Sequence, residues 1–299
     1  MRQWRVWPRV FAGRIVRLAG RYLGGPVHFL REFPGIFLEW RVNRTGKPII
    51  FRDWAGNRYW RYPGDKIRSN WKAKSVTDSD HVMRYILSNV SPGAICVDIG
   101  AHIGSMSVCL WSKVGPTGKV ISVEADPDNV IRLKANLRLN KCPDNLVVSA
   151  AMTDKTGNAK LRCYPQSRGW QTLGDPAFAL GYKSYLVEVP TISFEHLAEM
   201  YELASVDFVK IDVEGAEICV LNGMQRFLRE KRIECIIFEV NYLMLAGMNR
   251  AVPELMQLWN EFDYQLWRLA HDGSPIPIDG SWPDNVVGDC VAIPRMSKS

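Results

Sequence analysis

Short apolar runs that break off at a glycine or an acid recur along the middle of the chain. They are Ala94–Gly100 (A-I-C-V-D-I-G), Val120–Pro127 (V-I-S-V-E-A-D-P), Leu146–Met152, Val206–Val213 and Ile233–Val240. Each is short and mostly rich in β-branched residues, the pattern of an inner strand covered on both faces. Between them the apolar period lengthens to three and four residues: Val130, Leu133 and Leu137, then Ile218, Leu221, Met224 and Leu228, then Leu255, Leu258, Trp259 and Phe262. That spacing predicts amphipathic helices. Strands alternating with helices predict an α/β fold with a mostly parallel sheet and helices on both faces.

Punctuation agrees with this period. Asp126-Pro127 supplies an N-cap carboxylate and a first-turn proline, Ser193 caps a helix expected to run through Leu203, and Pro253 starts another. A helix over Ser79–Val90 is stopped by Ser91-Pro92-Gly93, and the helix after the first strand is expected to begin at His102. Ile49–Tyr62 reads as a hairpin turning at Gly56-Asn57. Residues Ala159–Pro190 are the least regular part, with Tyr164, Arg168, Trp170, Phe178, Tyr182 and Tyr185. This stretch is either an insert whose aromatic planes stack on an acceptor molecule or a hairpin packed on the sheet. Two β-rich runs, Tyr264–Leu269 and Asn285–Pro294, close the chain.

Charge divides the chain in two. Residues 1–74 hold 17 Lys/Arg against 4 Asp/Glu, a balance of +13, which leaves −6 for the remainder of a protein whose total is +7. Arg2, Arg5, Arg9, Arg14, Arg17 and Arg21 alternate with Trp4, Trp7, Phe11, Ile15, Leu18 and Tyr22, the composition of an interfacial amphipathic helix or of an Arg-rich targeting peptide. No run reaches the about 18 apolar residues that a bilayer span needs. A soluble, cytoplasmic protein with peripheral membrane contact through residues 1–40 is therefore expected. The seven cysteines form no C-x-x-C pair and fall largely on apolar segments, as in a reducing compartment. The expected division is a basic arm with hairpin over 1–75 and a catalytic domain over 76–299.

The chemistry concentrates where strands end. Asp98 stands in a buried-type strand, where a carboxylate is costly without donors around it. Gly100 and Gly104 follow as G-x-x-x-G, which is not the G-x-G-x-x-G of a pyrophosphate cradle. Glu124 lies at the second strand's end, about 20 residues on, where an acid meets a ribose diol. Strand, glycine turn, helix and terminal acid describe a nucleoside-binding half without a phosphate grip. Asp207–Glu217 (D-F-V-K-I-D-V-E-G-A-E) repeats the device, an apolar strand closing on carboxylates and a glycine.

Together, V-D-I-G-A-H-I-G and V-K-I-D-V-E-G-A-E resemble the FkbM family of S-adenosylmethionine-dependent methyltransferases, from about Pro92 to about Pro294. The resemblance implies the class I methyltransferase fold, a Rossmann-like sheet with one antiparallel strand. It also implies S-adenosyl-L-methionine as methyl donor and O-methylation of hydroxyls on sugars, glycolipids or related natural products. In that fold the turn at Thr153, Asp154 and Gly157 meets adenine, and the segment with Trp71, Lys72 and His81 closes over the cofactor. Asp98 is assigned to the donor's amino acid end, Glu124 to its ribose and Asp212 to the sulfonium or the acceptor, with Gly100, His102 and Gly104 forming the turn beside them.

Transfer to an alcohol needs alignment and a base. Glu214 and Glu217 are the base candidates, with His102 behind them. Glu217 could equally serve the helix N-terminus, and Lys210 could pair with a carboxylate or orient the acceptor. Asp212, Glu214, Glu239 and Asn241 are hard oxygen ligands of the kind Mg²⁺ takes; with no ligand geometry legible in a sequence, no metal is assigned. The other function class is a non-catalytic nucleoside-binding protein whose basic arm docks membrane or RNA. The full set of strand-end acids argues against it, and no RNA-binding motif accompanies the arm.

Overall fold

A computed structural model describes residues 40–65, 80–165, 167–278 and 282–295. The basic arm over 1–39, Trp71, Lys72 and His28 lie outside the described residues. Two compact units are present: residues 40–56 with 60–65, and residues 57–59 with everything described from Asp80 onward. A separate two-stranded sheet is formed by β1 (Ile49–Arg52) and β2 (Arg58–Arg61), turning at Gly56 with φ +90°.

The second unit is built on an eight-stranded sheet. Its strands in chain order are β3 (Ile95–Ile99), β4 (Lys119–Glu124), β5 (Val147–Ser149), β9 (Val206–Ile211), β10 (Ile233–Val240), β11 (Tyr264–Leu269), β12 (Pro275–Pro277) and β13 (Gly288–Pro294). They lie in the spatial order β12, β11, β13, β10, β9, β3, β4, β5. The run from β5 to β10 is parallel, and β13 inserts antiparallel between β10 and β11. This is the anticipated mostly parallel methyltransferase sheet with its antiparallel strand; short β12 adds a further antiparallel edge.

Helices cover both faces because the inner strands are apolar on both. One large core gathers Val97, Ile99, Val123, Val209 and Ile211 from the sheet with Phe194, Ile218, Leu221, Phe227 and Leu255 from the helices. Trp259 stacks on Phe238 at 4.7 Å within it. On the other face lie α1 (Asp80–Asn89), α2 (Ser105–Val114) and α3 (Pro127–Leu139). The α3 start is as expected, with Asp126 accepting from the Asp128 N–H at 2.9 Å and Pro127 at N1. Ser193 likewise caps α4 (Phe194–Met200), which stops short of Leu203 because the chain turns at Glu202 with φ +52°. The helix expected from His102 begins at Ser105 instead, since Gly100, His102 and Gly104 all take positive φ and form a turn.

The third apolar run also differs from its expected form. It divides at Ala150, whose N–H donates to the Glu124 carbonyl at 3.0 Å, so that Val147–Ser149 stays in the main sheet. The following β6 (Ala151–Thr153) joins a second sheet with β7 (Gly157–Cys163) and β8 (Tyr185–Ser193). The irregular region is thus a β7/β8 hairpin carrying a long loop, the hairpin being one of the two readings that the sequence left open. Among the described residues, no helix is long and apolar enough to cross a membrane.

Candidate active site

Parallel strands bring their carboxyl ends to one edge, and there the acids of separate sequence motifs meet. A buried polar row runs beneath that edge. Ser122, Asp98 and Lys210 are register partners on adjacent strands β4, β3 and β9, so their side chains project to the same face. Ser122 donates to Ser107 Oγ at 2.9 Å, and Ser107 of α2 donates to Asp98 Oδ2 at 2.5 Å. Lys210 Nζ lies 3.9 Å from Asp98 Oδ1, donates to Asp212 Oδ2 at 2.9 Å and to the Gly100 carbonyl at 3.3 Å. Burial pushes the Asp98 carboxyl up, and Lys210 and Ser107 hold it back. Burial works the other way on Lys210, yet Asp212, Asp98 and Asp289 together lift it above the ordinary lysine range. Lys210 is therefore a fixed cation and no proton acceptor. Asp98 has no exposed surface, so it reaches a ligand only through Lys210 and the Gly100 turn.

The glycines serve the packing of that turn. A Cβ on Gly100 would stand 1.8 Å from the Asp212 carbonyl oxygen, and one on Gly104 would stand 2.5 Å from Leu133 Cδ1 of α3. Both residues also take φ values, +76° and +90°, that favour glycine. Gly100 lets the first motif press against the backbone of the second. Gly104 admits α3.

Glu124 ties the same turn to the next strand. Its Oε2 accepts from the His102 N–H at 2.7 Å, and its Oε1 accepts from the Asp126 N–H at 2.8 Å and from Asn129 Nδ2 at 3.4 Å. Burial pushes it up to about 7 despite these donors. Each carboxylate oxygen has two acceptor sites, so the group retains capacity for further hydrogen bonds.

Asp212, Glu214 and Glu239 converge after β9 and at the end of β10, with one oxygen from each lying within 4.8 Å of the others. Burial first, then Asp212, Glu239 and Glu217, raises Glu214 well above the usual carboxylate range; burial, then Asp212, Asp289 and Glu217, does the same to Glu239. Glu214 sits at φ +51° before Gly215 at φ +103°, in a turn closed against α7 (Tyr242–Gly247), where a Cβ on Gly215 would be 2.4 Å from the Met244 carbonyl. Asn241 is engaged twice, capping α7 through its Oδ1 and donating to Glu239 through its Nδ2, both at 3.3 Å. Glu217, at the start of α5 (Glu217–Asn222), is 1% exposed and accepts from the Val213 and Gly215 N–H groups. That geometry turns Glu217 onto the turn that precedes α5 and leaves Glu214, partly exposed, as the accessible member of the pair.

One site residue is not brought in. Asp154 lies in an exposed turn at the far end of α5, where Gly223 passes so close that a Cβ would be 2.1 Å from the Thr153 carbonyl. Gly223 is the C-cap of that helix, about 9 Å along its axis from Glu217. The division of the third run at Ala150 carries the Asp154 turn away from the acidic edge.

Other residues arrive that strand-end reasoning did not single out. The β7/β8 loop reaches over the edge, with Thr172 donating to the Glu214 carbonyl at 2.7 Å and Gln171 Nε2 donating to Asp126 Oδ2 at 2.8 Å. Its Trp170 packs edge-on to Tyr164, Phe178 and Tyr182 at 5.3 to 6.4 Å. On the opposite side Asp289, paired with Glu239 in the β10/β13 register, meets His81 Nε2 at 2.6 Å. That hydrogen bond, against burial, raises the His81 imidazole.

An edge with this many carboxylates and a single buried lysine suits a cationic ligand, and Glu124 suits a diol. Such a donor set fits S-adenosylmethionine. The match to a family model agrees. Residues 98–266 match the Methyltransferase FkbM domain. The hexuronic acid methyltransferase AglP of Haloferax volcanii is 23% identical over 224 residues, spanning 71% of this chain and 86% of that protein. Methyltransferase sdnD of Sordaria araneosa is 27% identical over 191 residues, spanning 54% and 71%. Among solved structures, an S-adenosylmethionine-dependent O-methyltransferase from Thermotoga maritima has a TM-score of 0.40 at 14% identity, covering 85% of this chain and 79% of that one.

Proposed function

The chain belongs to the FkbM methyltransferase family and uses S-adenosylmethionine, and from that premise we propose that it methylates a hydroxyl group of a sugar, free or carried on a lipid. The observation that carries the reading is the Asp212, Glu214 and Glu239 cluster beneath the aromatic loop. A sulfonium donor supplies an already electrophilic methyl group, so the protein's tasks are to orient an alcohol and to take its proton. Glu214 is suited to the second task, because a carboxylate raised by burial and by neighbouring acids accepts a proton more readily than an ordinary one. The alcohol oxygen forms its bond to the methyl carbon as the carbon–sulfur bond breaks, and the hydroxyl proton passes to Glu214. The sulfonium charge ends as a neutral thioether.

In this reading Glu124 holds the ribose diol, Asp212 with Lys210 lies beside the donor, and Asp98 positions Lys210. Trp170, Tyr182 and Tyr185 offer planes for the apolar faces of a sugar ring, Tyr182 and Tyr185 being 48% and 47% exposed. The relative acting on hexuronic acid supports a carbohydrate acceptor. The test is transfer from S-[methyl-³H]adenosylmethionine to hexuronic acid glycosides, neutral glycosides, glycolipid extracts and RNA, with NMR of the product. An O-methyl resonance on a sugar is expected, and Glu214→Gln should reduce its formation by about 10²–10⁴-fold at unchanged donor affinity. Label confined to RNA, or to nitrogen or carbon, would overturn the assignment.

A further inference from the structure

The turn that carries Glu214 is held from outside itself. Between the end of β9 at Ile211 and the start of α5 at Glu217, Glu214 takes φ +51° and Gly215 φ +103°. A residue with a side chain stays in that region because its surroundings keep it there. Two buried side chains do so, gripping the Glu214–Gly215 peptide at its opposite ends. Thr172 Oγ1 donates to the carbonyl at 2.7 Å, and Glu217 Oε1 accepts from the N–H at 3.2 Å and from the Val213 N–H at 3.4 Å. Thr172 and Glu217 are each 1% exposed, so water does not compete for either bond.

Thr172 is itself fixed. It exchanges backbone hydrogen bonds with Arg162 of β7, at 2.8 and 3.1 Å, and its hydroxyl accepts from the Gly174 N–H at 3.0 Å. Gly174 presses on the end of α7, where the Gly247 carbonyl oxygen would lie 2.7 Å from an added Cβ and accepts from the Asp175 N–H at 2.8 Å. Gln171 holds Asp126 on the β4 side, and Trp170 sits among Tyr164, Phe178 and Tyr182. Residues 170–175 are therefore a strap tied to β7, to α7 and to the turn after β4, and its Thr172 reaches the turn after β9 at Glu214. The Thr172 hydroxyl donates and accepts at once, and a β-branched side chain is stiff about χ1, which suits a strut between two backbones.

We propose that Thr172 is a positioning residue for methyl transfer: it holds the Glu214–Gly215 peptide against Glu217 and thereby sets the angle at which the Glu214 carboxylate meets the acceptor hydroxyl. The inference rests on the reading of Glu214 as the base and deepens it. Freed of Thr172, Glu214 relaxes toward ordinary negative φ, which swings its Cα–Cβ bond and carries the carboxylate out of hydrogen-bond reach of a fixed alcohol. Proton removal suffers first, since displacing a reacting group by about 1 Å costs about 10²-fold. The donor, on the Glu124 side, keeps its contacts. The same strap carries Trp170, so an acceptor stacked on the aromatic loop steadies Thr172 over Glu214, and acceptors that do not stack are discriminated in kcat as well as in KM.

The test compares the whole chain as wild type, as Thr172→Val, which keeps the shape and loses the hydroxyl, and as Thr172→Ser, which keeps the hydroxyl. S-adenosylhomocysteine calorimetry counts folded sites, and Thr172→Ala replaces the valine variant if that one fails to bind. With a hexuronic acid glycoside as acceptor, Thr172→Val should lose about 10–100-fold in kcat, with acceptor KM and S-adenosylhomocysteine affinity within about twofold, while Thr172→Ser stays within about threefold of wild type throughout. A crystal structure of Thr172→Val should show Glu214 out of its positive-φ turn. A bond that served folding alone would lower the unfolding midpoint and leave kcat per folded site at the wild-type value; that outcome, equal losses in the valine and serine variants, or Glu214 unmoved in the crystal overturns the proposal. A wild-type chain that methylates no glycoside sinks the sugar reading and leaves the crystal comparison to decide on Thr172. A fully active Glu214→Gln sinks the base reading and this inference with it, whereas a normal Thr172→Val beside an inactive Glu214→Gln sinks this inference alone.

Discussion

In the proposed reading, Glu124 is the residue whose ionisation bears most directly on donor binding. Held at about 7 by burial, it keeps its proton in the folded protein between pH 4.5 and 7, where the unfolded chain has released it. Folding stability therefore falls as pH rises through that window. A ribose diol donates hydrogen bonds that favour the ionised form, so the sign for binding is opposite: affinity is full above about 7 and drops as pH falls below it. S-adenosylhomocysteine affinity measured by calorimetry should weaken about tenfold between pH 8 and pH 6, and Glu124→Gln should bind less tightly and flatten the profile. A wild-type profile as flat as the variant's would remove the diol assignment. At this scale the sequence was informative about type and less so about purpose. An acid ending an apolar run marks a strand's carboxyl end: Asp212 and Glu214 stand together with Glu239, and Glu124 stands at the end of β4 against the His102 turn. Whether an acid meets solvent depends on what covers it: Asp98 is closed off by Ser107 of α2, and Glu217 turns from the start of α5 onto the Val213 and Gly215 N–H groups. Asp154 was misplaced because one short run served two sheets.

At the scale of elements, the polar row Ser122–Asp98–Lys210 crosses three central strands under α2, where apolar side chains would be expected. Removing one member leaves a charge in the interior. Lys210→Met should destabilise the protein by about 3–5 kcal/mol in denaturant titrations, and adding Asp98→Asn should recover most of that loss. If the two losses simply add, the pair is not a unit. The alternation of strands and helices was legible because inner parallel strands must be apolar on both faces and helices must carry a stripe. Helix starts were legible where a side chain makes the cap, as at Asp126 and Ser193. They were displaced where backbone conformation decides, as at the Gly100–Gly104 turn, whose positive φ at His102 leaves no mark in composition. Gln171 and Thr172 escaped notice because a loop's reach depends on where a distant hairpin stands.

For the molecule as a whole, the proposed chemistry depends on separate sequence segments reaching one sheet edge: Glu124 from β4, Asp212 and Glu214 after β9, Glu239 from β10 and Asp289 from β13. The parallel order follows from the period of the chain. The position of β13, late in sequence yet between β10 and β11, follows from the family's topology rather than from any local pattern. It also dictates an order of events during synthesis. From the emergence of residues 233–240 until residues 288–294 leave the ribosome, β10 presents an open, apolar edge and β11 has only the short β12 beside it, so the nascent protein carries an unfilled slot while that stretch is made. A newly made chain arrested before Gly288 is thus a strand acceptor awaiting any β-segment that comes by, which marks it for chaperone capture or self-association.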